Sequence, residues 1–191
     1  MFTMAKGTVS KDLFGKPVRQ RRPRYEAALE RGEKKTLPER AARVRWLSGV
    51  IPRDRMFGMP VETGLVFEEA KASFVYRNFV AVIVLAAAFI EHWFLASLEA
   101  RGYHKEASQG LAAAINCARR NNLVDSIILD KADRLRLIRN PFVHLKEFDH
   151  KHGISQRMAR TRNFDITALL ENDAKEALIA MYGVAVYAFR R

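Results

Sequence analysis

The chain has 191 residues, 49% of them hydrophobic, and a net charge of +12, so it holds enough apolar material for the core of a single domain. Its one cysteine, Cys117, excludes an intramolecular disulfide and a cysteine-based zinc site, and it is expected to be a small buried side chain. No segment has the pattern of a secretory signal peptide, and the sequence therefore predicts a cytoplasmic protein.

Residues 1–62 are predicted to be a basic, partly disordered N-terminal extension with short helices. The first 60 residues hold 15 Lys and Arg against 6 Asp and Glu, and the densest basic run, residues 16–24, contains two prolines that oppose a helix. Short helices are expected over residues 25–31, ended by a glycine, and over residues 36–47. Residues 49–62 then have the composition of a linker.

The basic run would attract a polyphosphate through counterion release, a contribution that is independent of sequence and sensitive to salt. A solvated tail or a partner-binding strap is the alternative, because the run has no interleaved aromatic residues for stacking on bases. The candidate RNA-binding residues of this extension are Arg19, Arg21, Arg22 and Arg24.

The remaining residues, 63–191, are predicted to form an α-helical bundle. Helix formers run from Thr63 to Arg101 as one long helix or two abutting ones, and Gly102 is the expected end. Within this run, Phe79 to Ile90 is apolar all round, which is typical of a helix in the core or at a dimer interface. A membrane span is the alternative, but the apolar run of 12 residues is too short to cross a bilayer.

Three further helical regions follow along the chain. Residues 104–121 form an amphipathic stripe that ends in Arg119 and Arg120, which could line an RNA path or simply interact favourably with the helix dipole. Residues 125–138 and 167–190 are the other two, the last one capped by Asp165 or Thr167. No long strand is predicted, so the expected fold class is all-α.

The most informative segment is Arg139-Asn140-Pro141-Phe142-Val143-His144. Asn before Pro predicts a helix start, with Asn140 as the N-cap and Pro141 as the first helical residue. His144 would then lie one turn into that helix, and Arg139 just before it. In this arrangement a guanidinium and an imidazole could meet on one phosphate at the positive end of a helix.

The segment Leu135 to Leu145 resembles the signature of the HEPN superfamily, which contains an Arg, a polar residue that is often Asn, and a His after four to six further residues. Four residues separate Arg139 from His144 here. The resemblance covers residues 63–191. It implies an all-α, HEPN-like bundle that commonly dimerises so that two Arg/His pairs meet at the interface.

Many HEPN proteins are metal-independent endoribonucleases of toxin, anti-phage or RNA-processing systems, whereas others keep the fold and only bind. The resemblance therefore implies RNA as the substrate, a second copy of the chain as a partner, and a neutralising antitoxin if the protein is a toxin. It implies Arg139, His144 and Asn140 as catalytic residues, and Glu91 as the acidic residue that orients the arginine. No cofactor, metal or membrane is implied.

These residue types suit RNA cleavage because RNA carries its own nucleophile, the 2′-OH. Histidine can move protons at neutral pH, and arginine offers a planar fork of donors to phosphate oxygens. The alternative is structural: Arg139 neutralises a core carboxylate such as Glu91, and His144 is a hydrogen-bonded core histidine. The corresponding second functional class is a non-catalytic module that binds RNA or protein through the basic extension.

Other polar clusters give weaker signals. Asp149, His150 and His152 are expected to be an exposed loop rather than a metal site, and His92 a core histidine with a hydrogen bond. The arginines at positions 157, 160 and 162 are expected in a solvated loop or on an RNA-binding surface. No nucleotide-binding loop, dinucleotide fingerprint or serine nucleophile elbow is present.

Overall fold

The computed structural model describes Gly15 and residues 24–50, 59–147, 149–162 and 164–188. These residues contain eight α-helices and no β-strand, which confirms the predicted all-α class. The chain divides into two compact units, residues 1–39 and residues 40–191. The helices are α1 (Arg24–Val50), α2 (Val61–Val75), α3 (Phe79–Glu99), α4 (His104–Ala107), α5 (Leu111–Arg120), α6 (Ser126–Val143), α7 (Ile154–Thr161) and α8 (Ile166–Ala188).

Helix α1 is one continuous helix of 27 residues, so the prediction of two short helices in the extension is wrong. Gly32 and Pro38 both lie inside it. A glycine inside a helix costs about 1 kcal/mol relative to alanine, which the Ala, Leu, Glu, Lys and Arg residues around it can offset. Apart from Gly15 and residues 59–62, the rest of the extension lies outside the described residues. The predicted disorder, most of the predicted linker, and the candidate RNA-binding residues Arg19, Arg21 and Arg22 fall in that part.

The long helical run after Thr63 consists of two abutting helices, α2 and α3. Arg77, between them, has a left-handed backbone with φ of 67°. Beside it, the Asn78 N–H donates to the Ser73 carbonyl oxygen at 2.9 Å, which is the bond that closes a Schellman end. Gly102 ends α3 with the same motif and a φ of 84°, which confirms the predicted end.

Helix α3 is the central helix of the second unit and contacts α2, α4, α5, α6 and α8. Val82, Ile83, Ala86 and Ile90 are fully buried on it. By length and composition α3 could also cross a membrane, but here its apolar side chains form the core of the unit. Because the other helices of the chain cover most of this surface, the apolar run gives no separate reason to expect a dimer.

The ends of the later helices are closed by local hydrogen bonds. Asp125 accepts from the Ile127 N–H at 2.8 Å and caps α6. Asp165 accepts from the Ala168 N–H at 3.0 Å, so Asp165 rather than Thr167 caps α8. Helix α7 was not predicted from its polar sequence.

Candidate active site

Helix α6 carries most of the Arg139 to His144 segment, and its course differs from the prediction. The helix continues through Asn140 and Pro141 and ends with His144 as the C-cap, where φ is −132° and ψ is 130°. The His144 N–H donates to the Asn140 carbonyl oxygen at 2.9 Å and closes the last turn. Asn140 is therefore not an N-cap, and the predicted helix start is wrong.

The physical reason is the packing of the residues on either side of Pro141. A proline removes one N–H donor and crowds the preceding turn, which costs about 3 kcal/mol or more in the middle of a helix. Pro141 lies in the last turn of α6, where Phe142 and buried Ile138 still pack against the core. His144 therefore lies at the negative end of the helix dipole. Free helix N–H groups cannot help to bind a phosphate there, and side chains must do so.

Arg139 forms an ion pair with Glu91 of α3. The Arg139 Nη2 donates to Glu91 Oε2 at 2.9 Å. The side chains are only 15% and 27% exposed, so solvent screens this pair less than a surface pair. The structure thus brings together the arginine and the carboxylate that the sequence analysis named, although 48 positions separate them in the chain.

The second oxygen of Glu91 contacts another helix. The Leu111 N–H, at the start of α5, donates to Glu91 Oε1 at 3.1 Å. Gly110 precedes it with a φ of 80°, and a Cβ at this position would lie 3.4 Å from the same oxygen. One carboxylate therefore connects α3, α5 and α6. Sequence reasoning missed Gly110, and the available signal was a glycine directly before an amphipathic helix.

His144 is exposed and forms no side-chain hydrogen bond within the described part of the chain. It is therefore not the buried core histidine of the structural alternative. Its neighbours Val143 and Leu145 are also exposed, and Leu145 is fully so. The end of α6 thus combines one accessible imidazole with two apolar side chains that the described chain leaves uncovered.

The other predicted RNA-binding residues that the structure describes lie on different helices from Arg139. Arg119 forms an exposed ion pair with Asp130 at 2.8 Å, and Arg120 lies 3.6 Å from Glu106. Both arginines line a polar cleft of about 670 Å³ on α4 and α5. Arg24, the first residue of α1, is exposed in the other unit.

Two expectations for isolated residues are corrected. His92 is exposed rather than buried, because consecutive residues of a helix point about 100° apart and Glu91 takes the inward direction. Arg157 is not a solvated loop residue, since it lies on α7 and donates to both carboxylate oxygens of buried Asp173 at 2.6 and 2.5 Å. Within the described ranges, no group of three or more His, Cys, Asp or Glu side chains could hold a metal ion.

Comparison with known proteins adds no relative: no family model, no curated protein and no solved structure matches the chain. The chemistry of the site itself is therefore the basis for inferring the function.

Proposed function

We propose that the protein is a metal-independent endoribonuclease of HEPN type, in which Arg139 and His144 are the catalytic residues. The observation that carries the proposal is the Arg139–Glu91 ion pair, which fixes a guanidinium five residues before an accessible imidazole. Only Nη2 of Arg139 bonds to protein within the described part of the chain, so Nε and Nη1 retain donors for phosphate oxygens.

The reaction uses the 2′-OH of RNA as the nucleophile. One imidazole accepts the 2′-OH proton while the 2′ oxygen attacks phosphorus, and a proton delivered to the 5′ oxygen allows the P–O5′ bond to break. The products are a 2′,3′-cyclic phosphate and a 5′-OH. Arg139 neutralises the charge that accumulates on the non-bridging oxygens, which is commonly the largest contribution to such a reaction. Asn140 is the polar companion in this assignment.

One histidine cannot accept one proton and donate another at the same time. A second copy of the chain would supply the second imidazole if a two-fold axis passes near His144. The exposed Val143 and Leu145 support this placement, because a contact between copies there would bury both side chains. In this proposal the enzyme cuts RNA in the cytoplasm as a homodimer, and a toxin of this kind requires a neutralising antitoxin.

A second candidate is a non-catalytic RNA-binding module of the same fold. The polar cleft on α4 and α5 favours it, because Lys105, Arg119 and Arg120 line this cleft with Glu106 as the one acidic residue. The Arg139–Glu91 pair would then serve stability alone.

The deciding experiment is incubation of the purified protein with RNA in EDTA, followed by analysis of the ends of the fragments. We expect cleavage by the wild type, none by His144→Ala, and little by Arg139→Lys, because an ammonium cannot make bidentate phosphate contacts. The matched controls are His104→Ala, which changes another exposed histidine, and Arg136→Lys, which changes another ion-paired arginine of α6. An inactive wild type, or an active His144→Ala variant, would refute the ribonuclease proposal.

A further inference from the structure

Helix α7 and the loop before it form a cleft of about 320 Å³ against α6. This volume is at the lower end of the range of small-molecule sites. Leu137 and Ile138 give the cleft an apolar wall. Its polar lining residues are Asp130, Asp133, Arg134, His152, Arg157 and Arg160.

The negative charges of the two carboxylates in this cleft are already balanced by arginines. Asp130 accepts from Arg119 at 2.8 Å, and Asp133 lies 2.8 Å from Arg136. Neither of these arginines lines the cleft. The acidic residues therefore repel an incoming anion much less than their formal charges suggest.

The three arginines of the cleft differ in how firmly they are held. Arg157 is committed to buried Asp173 through two hydrogen bonds. Arg134 pairs with Glu176, but the side chains are 66% and 49% exposed, and such a surface pair is weak enough to be exchanged. Arg160 has no carboxylate partner in the described part of the chain, where it donates only to a backbone carbonyl oxygen of the preceding loop.

An apolar cleft of about 230 Å³ adjoins this polar one, and Arg134 and Ile138 line both. Leu135, Ala177 and Ile179 provide most of its apolar wall, between α6 and α8. Its charged lining residues besides Arg134 are Lys131, Asp173 and Glu176, and the two carboxylates are paired with Arg157 and Arg134. A ligand that spans both clefts would place an anionic group near Arg160 and Arg134, and a flat apolar group beside Ile179.

We propose that these two clefts form a binding site for a nucleoside monophosphate, with the phosphate between Arg160 and Arg134 and the base in the apolar cleft. Arginine forks match phosphate oxygens, and the aliphatic side chains give the face of a base an apolar surface to pack against. The site is separate from Arg139 and His144 and does not depend on RNA cleavage. The phosphate belongs to a free nucleotide or to the end of an RNA strand, and both sources share this chemistry.

His152 provides a built-in reporter of occupancy. Its Nε2 is shielded from solvent and has no hydrogen-bond partner within the described residues. Burial lowers the pKa of His152 below its ordinary value of 6.5, and nearby cations lower it further. A bound phosphate would offset those cations and raise this pKa. The charged and titratable groups around it are Lys151, His150, Arg157 and Arg160 on the loop and α7, and Asp130, Asp133 and Arg134 on α6.

The test is an NMR pH titration of the His152 imidazole in the full chain, with and without adenosine 5′-monophosphate, combined with calorimetric affinities. His152→Gln assigns the resonance. Arg160→Gln removes the proposed phosphate ligand, and Arg162→Gln, an exposed arginine at the end of the same helix, is the matched control. Inorganic phosphate and adenosine are measured separately, to divide the contributions of the phosphate and the base.

We expect the monophosphate to raise the pKa of His152 and to bind more tightly than inorganic phosphate. Arg160→Gln should weaken binding at least about tenfold, the factor that corresponds to 1.4 kcal/mol, and Arg162→Gln should not. A competition with a short RNA, carried out on the His144→Ala variant to prevent cleavage, identifies the source of the phosphate. If the RNA displaces the nucleotide, the phosphate belongs to the end of an RNA strand; if it does not, the phosphate belongs to a free nucleotide. Adenosine binding as tightly as its monophosphate, or no saturable change at His152, would overturn the proposal.

Discussion

The Arg139–Glu91 pair allows a stability prediction that is independent of catalysis. Glu91→Gln removes the carboxylate charge but keeps an oxygen that can accept from the Leu111 N–H. Arg139→Met removes the guanidinium and keeps a side chain of similar reach. Together with the double variant, these two substitutions form a double-mutant cycle that isolates the energy of the pair.

The expected coupling energy follows from the geometry. A hydrogen bond to a charged group contributes about 1.5–3 kcal/mol when it is shielded, and an exposed ion pair contributes about 0–1 kcal/mol. The pair has a donor–acceptor distance of 2.9 Å, with Arg139 15% and Glu91 27% exposed. This geometry places it near the lower end of the shielded range, at about 2 kcal/mol. For a chain of this size, that energy corresponds to a change in Tm of about 4–8 °C.

Urea denaturation of the four proteins gives the coupling energy directly, provided that the slope with denaturant stays constant. The control cycle uses the ion pair of Arg134 and Glu176, whose arginine also lies on α6 but whose side chains are largely exposed. We expect that control to give less than about 1 kcal/mol. A coupling energy for Arg139 and Glu91 no larger than that of the control would show that the ion pair is not the fixed element on which the proposed site depends.

Three further predictions concern residues around the core. Gly110→Ala should destabilise the protein by about 1–2 kcal/mol in urea denaturation, because a φ of 80° strains alanine; an unchanged midpoint would contradict this. Tyr182→Phe should be neutral or stabilising by about 1 kcal/mol at neutral pH, because it removes a buried hydroxyl that has no partner among the described residues. Burial raises the pKa of Tyr182 above its ordinary value of 10.0, so the folded protein keeps a proton that the unfolded chain loses, and wild-type stability should fall more steeply than that of the variant above pH 10.0. Asp173→Asn should cost about 3 kcal/mol by leaving Arg157 as a partly buried unpaired cation, and loss of circular dichroism at a lower urea concentration would verify it.

The all-α class and several helix ends could be predicted because their signals are local. Gly102 ends α3 and Asp165 caps α8, and each does so through bonds to residues within five positions along the chain. The all-apolar run from Phe79 to Ile90 also predicted a helix in the core or at a dimer interface, since a helix that is apolar all round must be covered by something.

The errors arose where a distant partner decides the local structure. The Asn140-Pro141 pair favours a break in the helix, but α6 continues through it because Ile138 and Phe142 pack against the core. Helix α7 was not predicted because its anchor, the bond from Arg157 to Asp173, joins positions 16 residues apart. The contact between Glu91 and Arg139 could be suggested by a family resemblance, but no periodicity in the sequence reveals which carboxylate reaches which arginine.

The carboxylate of Glu91 has a consequence for how this sequence can diverge. Its two oxygens serve two different helices, through the Leu111 N–H and the Arg139 guanidinium. A substitution at position 91 therefore disturbs both at once, whereas a substitution at position 139 leaves an unpaired, mostly buried carboxylate. Whichever of the two positions is substituted first, the protein therefore loses stability. Among descendants of this chain, positions 91 and 139 should change together or not at all, and position 110 should stay glycine because its φ of 80° disfavours any side chain.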